Sequence, residues 1–114
     1  MTPIASHITA FLQQRLPIER GASENTCESY AYAFKVLFEY AANCLKVAPS
    51  QLHLEQLDAP LIAGFLDHLE TVRGNGANSR NIRLAAIKSF MHFMEYRVPA
   101  ALEQITRIMA IPAK

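Results

Sequence analysis

Apolar residues recur at three- and four-residue intervals through most of the chain, the spacing that lines one face of an α-helix. Nowhere do they alternate with polar residues for long enough to mark a strand. Five helical segments account for the pattern. In residues 3–16, Ile4, Ile8, Phe11 and Leu12 share a face, and Pro17 is expected to end the helix, because the residue before a proline is driven out of helical backbone. Ser23 is a good N-cap for the second helix, with Glu24 in the first turn where the dipole favours an anion. That helix is expected to run to about residue 44, burying Tyr30, Phe34, Leu37, Phe38, Ala41 and Leu45 and turning Glu28, Lys35, Glu39 and Asn43 outward. Pro49 and Ser50 mark a turn, and a short turn or helix can follow at 51–54. The third helix starts after Asp58, with Pro60 in its first turn where a missing N–H costs nothing; Leu61, Ile62, Phe65, Leu66, Leu69 and Val72 form its core face.

Residues 74–78 read as a loop of Gly, Asn and Ala. The fourth helix is expected over 79–96, with Ser79 as its cap. At 100° per residue, Leu84, Ile87, Met91 and Met94, flanked by Phe90, form its apolar stripe, and Asn81, Ala85, Lys88 and His92 the opposite polar one. Pro99 closes it, and a short last helix over 100–109 carries Leu102, Ile105 and Ile108. The expected fold is all-α, a compact bundle of four to five helices within one domain over 1–110, with 111–114 beginning a linker.

Composition supports a folded chain: 114 residues, 51% hydrophobic and 18% charged, are enough for one core and too apolar for disorder. No apolar run approaches the roughly 20 residues that cross a bilayer, and the N-terminus lacks the layout of a signal peptide, so a cytoplasmic location is expected. Cys27 and Cys44 lie 17 residues apart on one expected helix, about 25 Å of rise. A disulfide needs Cα atoms within about 7 Å, so the two cannot pair, and without histidines at ligand spacing they make no zinc site. They read as small core or boundary residues. Lone His68 and His92 read as solvated. No metal and no cofactor is expected.

The net charge of +1 says little, but its distribution says more. Residues 47–70 hold four acids and no Lys or Arg, whereas 71–97 hold five bases and one acid, Glu95. Such segregation can orient a domain on a polyanion; alternatively, folding brings the two segments together and they neutralise.

Several strings then resemble a known family. They are Ser23-x-x-Thr26 followed by Tyr30 and Phe34, the Leu57/Asp58 helix start with Phe65-Leu66-x-x-Leu69, and above all Asn78-Ser79-Arg80-Asn81-x-Arg83-Leu84-Ala85-Ala86-Ile87-Lys88-Ser89-Phe90. Together they resemble the N-terminal core-binding, SAM-like domain of tyrosine recombinases and phage integrases, over nearly the whole chain. Residues 108–112 resemble the family's exit towards its catalytic domain. The resemblance implies a domain that forms one half of a clamp on double-stranded DNA, with self-association of protomers on DNA through the last helix. Leu102, Ile105, Ile108 and Met109 would then be exposed. It implies no membrane and no small-molecule substrate. The family's cutting chemistry is not carried: none of His7, His53, His68 and His92 has an Arg three positions on, and Tyr96 beside Arg97 has no catalytic surroundings. The fragment is therefore expected not to be an enzyme.

Candidate DNA contacts follow from chemistry. At the fourth helix start, Ser79, Arg80, Asn81 and Arg83 sit where free N–H groups favour phosphate. Arg can grip guanine and Asn adenine bidentately, while Lys88, two turns on, suits a phosphate. Arg83 lies nearer the apolar arc, where its stem can cover the core edge. On the second helix, Thr26, Tyr30 and Lys35 can reach phosphates, although Thr26 can equally complete a cap and Tyr30 equally be core. A different reading is a small helical protein–protein interaction module without DNA binding, which the near-zero net charge favours slightly.

Overall fold

A computed structural model describes residues Met1–Lys114. The chain is 77% helical with no strand beyond one isolated bridge, in agreement with the all-α bundle class. No helix is long and apolar enough to cross a membrane. Two units, Met1–Leu54 and Glu55–Lys114, each hold their own helices.

In the first unit, helix α1 (Ala5–Ala10) continues without a break into a π-helical stretch, Phe11–Glu19, that contains Pro17. The expected stop at Pro17 is therefore corrected. A π turn bonds each N–H to the carbonyl five residues back, as Arg20 N to Arg15 O does at 3.0 Å, and this wider coil accommodates the proline ring that a tight α-turn would reject. The same widening brings residues five apart onto one face, which is why Phe11 and Leu16 are both buried. Helix α2 (Glu24–Leu45) begins as expected, with Ser23 Oγ accepting from Thr26 N at 3.1 Å. Its buried face is broader than the expected stripe, taking in Ala33, Val36 and Ala42, while Leu45 at the fraying end is exposed. The helix ends on Lys46 in the left-handed conformation, φ 57°, a cap geometry that more often uses glycine. Two single 3₁₀ turns, Pro49–Gln51 and Leu54–Gln56, follow. Between them Ile4 N donates to Leu52 O at 3.2 Å, and Leu54 N to Thr2 O at 2.8 Å. This short antiparallel pairing joins the two ends of the unit and left no pattern in the sequence.

In the second unit, α3 (Ala59–Thr71), α4 (Ala77–Arg97) and α5 (Leu102–Met109) pack on one another. Asp58 caps α3 as expected: its Oδ1 accepts from Leu61 N at 3.0 Å, a contact that contributes about 1 kcal/mol. Ile62, Phe65, Leu66 and Leu69 are buried, but Val72, one residue past the last turn, is 70% exposed. Gly74 adopts φ 69°, which a β-carbon would strain, and turns the chain into α4. The cap of α4 is Gly76, not Ser79. The helix begins two residues earlier than expected because Ala77 and Asn78 take helical backbone, leaving Ser79 inside the first turn. Leu84, Ile87, Phe90, Met91 and Met94 are buried as expected.

Candidate nucleic-acid interface

The polar face of α4 is occupied by the chain's own C-terminal residues. Asn81 and Lys88 are seven residues apart, two turns and about 10.5 Å along the axis, and they fall within about 20° of each other around it. Arg80 sits beside them. α5 ends where Ala110 N bonds Thr106 O, and one further turn, Ile111 N to Ile108 O at 3.1 Å, turns the chain away. Pro112 cannot continue a helix, so residues 111–114 leave with their carbonyls needing donors. Three extended residues span about 10 Å, the distance from Lys88 back to Asn81, and the segment runs antiparallel to α4.

Donor and acceptor match along it. Lys88 Nζ donates to Ile111 O at 2.5 Å. Arg80 Nη1 donates to Pro112 O at 2.9 Å and to Asn81 Oδ1 at 3.1 Å. Asn81 Nδ2 donates to Lys114 O at 2.8 Å, and Asn81 Oδ1 accepts Lys114 N–H at 3.0 Å. From α3, Glu70 Oε1 lies 2.7 Å from Lys114 Nζ and 3.6 Å from Arg80 Nε. The second distance is an ion pair rather than a hydrogen bond, and Arg80 Nε is buried without one. Glu70 belongs to the acidic segment and Arg80 to the basic one, so folding does neutralise part of the segregated charge.

The candidate residues thus fall into groups. Arg80, Asn81 and Lys88 are brought together, but Arg80 is turned inward, only 7% exposed. Ser79 is exposed in the first turn, and Arg83 is half-buried. On α2, Thr26 and Tyr30 share a face at four-residue spacing. Thr26 is exposed, and its Oγ1 takes a 3.0 Å bond from Ser23 Oγ within the cap. Tyr30 is half-buried, its ring stacked on Phe11 with centroids 6.3 Å apart. Lys35 is exposed, but nine residues from Thr26 put it on the opposite side of α2. Glu70 and Lys114, which complete the arrangement on α4, were missed in the sequence. Main-chain carbonyls leave no residue signature, and the two charges stand 44 positions apart.

Of the four apolar residues expected to be free on the last helix, Ile105 and Ile108 are fully buried, whereas Leu102 is 54% and Met109 37% exposed. Cys27 is half-buried and Cys44 exposed, both as free thiols.

Residues 8–97 match the family described as phage integrase, N-terminal SAM-like domain. Over 111 residues, 97% of this chain, the sequence is 42% identical to a candidate integrase/recombinase of Sinorhizobium fredii, y4rC, and 40% identical to a second from the same organism, y4rD. The chain spans only 33% and 40% of the length of these two relatives. No solved structure matches it significantly.

Proposed function

Because this chain belongs to the phage integrase N-terminal SAM-like domain family, we propose that it grips duplex DNA as the DNA-binding part of a site-specific tyrosine recombinase. The family match across residues 8–97 carries this reading. The cationic polar face of α4 gives it a chemical basis. Lys88 and Asn81 supply donors on this face for phosphate oxygens and base edges, while Arg83 and exposed Ser79, about 140° and 180° from Lys88 around the helix, would reach DNA from the other side of the helix start. Thr26 and Tyr30 add a second contact face on α2; Lys35, on the far side of that helix, is the weakest member of the set. Arg80 acts in this reading by holding Asn81 in place more than by touching DNA. Strand cutting and rejoining fall to parts of the recombinase outside these residues, and the chain itself is no enzyme and takes no metal, cofactor or small-molecule substrate. A cytoplasmic location goes with the same reading.

The test is a titration of this chain with duplex DNA across salt concentrations. Affinity is expected to fall linearly on a log–log plot, with a slope of about −0.9 per phosphate contact. Lys88→Ala should weaken binding to all sequences alike and flatten that slope by about 1. Absence of salt-dependent binding to any duplex at low ionic strength would refute the reading.

Protomers are further proposed to meet on DNA through α5, and the exposed pair Leu102 and Met109, seven residues apart on one face, supports this. Sedimentation of chain–DNA mixtures should then show two protomers per duplex of suitable length, and Leu102→Lys should return one. A single protomer at every stoichiometry would remove the contact.

A further inference from the structure

We infer that residues 111–114 and DNA are alternative occupants of one surface, the polar face of α4, so that DNA binding there requires this segment to be released. The inference rests on the DNA-binding reading above and adds a second partner for the same side chains: an extended main chain offering carbonyl oxygens.

Hydrogen-bonding capacity sets the two occupants in competition at Arg80 Nη1 and Asn81 Oδ1. An Arg Nη nitrogen has two hydrogens, and those of Arg80 Nη1 are both spent, on Pro112 O and on Asn81 Oδ1. Asn81 Oδ1 has two lone pairs, and both are filled, by Lys114 N–H and by Arg80. Asn81 can therefore not accept an adenine amino hydrogen while the segment is in place. Lys88 has one of its three hydrogens on Ile111 O, and Arg80 lies beneath the segment at 7% exposure. For Arg80 and Lys88, which now meet the neutral carbonyls of Pro112 and Ile111, a phosphate oxygen would be a charged acceptor making the stronger bond, which favours exchange once DNA is close.

Glu70 tilts this exchange. Its carboxylate holds Lys114 Nζ at 2.7 Å and stands 3.6 Å from Arg80 Nε, tying the end of the segment to α3 while placing a negative charge beside the surface. Apparent DNA affinity is reduced by the fraction of molecules in which the segment is docked.

The test uses the 114-residue chain with a short duplex at low salt. Backbone ¹⁵N relaxation should report Ile111, Ala113 and Lys114 as rigid without DNA and flexible at saturation. Glu70→Gln should tighten DNA binding by at least about threefold more than Asp67→Asn. Asp67→Asn removes the same charge one turn away on α3 without touching the segment. DNA binding with 111–114 still rigid, and the two variants equal in affinity, would overturn the inference and leave the DNA-binding reading standing. Failure of every variant to bind duplex would overturn both. The relaxation measurement needs no substitution, so a variant that folds poorly does not remove the test.

Discussion

Phe34→Ala is expected to destabilise the protein by about 4 kcal/mol. Phe34 is 2% exposed. Its ring meets Phe11 edge-on with centroids 6.1 Å apart, and Phe38 at 5.9 Å. Truncation removes the buried ring and leaves a cavity between α2 and the π-helical stretch, and it forfeits the edge-to-face contact, worth about 1 kcal/mol beyond area. Phe11, the first residue of the π-helical stretch, also stacks on Tyr30, so the loss of Phe34 removes one wall of a three-ring contact. Small domains have about 5–15 kcal/mol in total, and the loss is a large share of that. Urea unfolding followed by circular dichroism should show the midpoint falling sharply at an unchanged slope. Phe34→Leu, which keeps most of the volume, should cost only about 1.5 kcal/mol. Equal effects of the two would mean that the ring is not packed as described.

Arg80→Ala is expected to cost about 3 kcal/mol. The guanidinium is buried, so removing it deprives Pro112 O of its donor, leaves Asn81 half-held and takes one of two cations from Glu70. The remaining Lys114–Glu70 contact keeps the figure at the low end for a broken buried pair. Arg80→Lys should fall between, since an ammonium keeps the charge and loses the planar fork. The measurement is again urea unfolding. A loss below about 0.5 kcal/mol, the range of ordinary surface substitutions, would show that Arg80 is not a structural group. DNA affinities of Arg80 variants therefore need comparison at equal folded fraction, or a folding defect will read as a lost contact.

Ser79 and Arg80, at the α4 start, show where residue chemistry misleads a sequence reading. Helical periodicity located α2, α3, α4 and α5 to within about two residues, and side-chain chemistry identified the caps at Ser23 and Asp58, because those signals are local. Side-chain chemistry also suggested Ser79 as a cap and Arg80 as a DNA contact. The α4 cap is instead Gly76, where backbone conformation and not a side chain decides. Arg80 is turned inward because it stands four and seven residues before Leu84 and Ile87, in line with the apolar stripe, where Glu70 and the carbonyl of Pro112 meet its guanidinium. Pro17 failed as a stop for a related reason: the rule assumes an α-turn, and a π turn relaxes it. Val72 and Leu45 are exposed at helix ends, where an apolar stripe carries on past the residues that cover it.

The contact along α4 has a bearing on what this surface can distinguish. Lys88, Arg80 and Asn81 meet the carbonyls of residues 111, 112 and 114 and one N–H, and the side chain of that segment that is held by a polar bond is Lys114, on Glu70. The surface therefore reads the direction and spacing of a backbone and is nearly indifferent to its letters. A phosphodiester strand presents the same kind of information: evenly spaced acceptors, a polarity, and no identity. Exchange of the Ile111 or Ala113 side chain should therefore leave the grip intact, whereas Pro112 is needed to turn the strand out of the helix and keep the spacing of its acceptors.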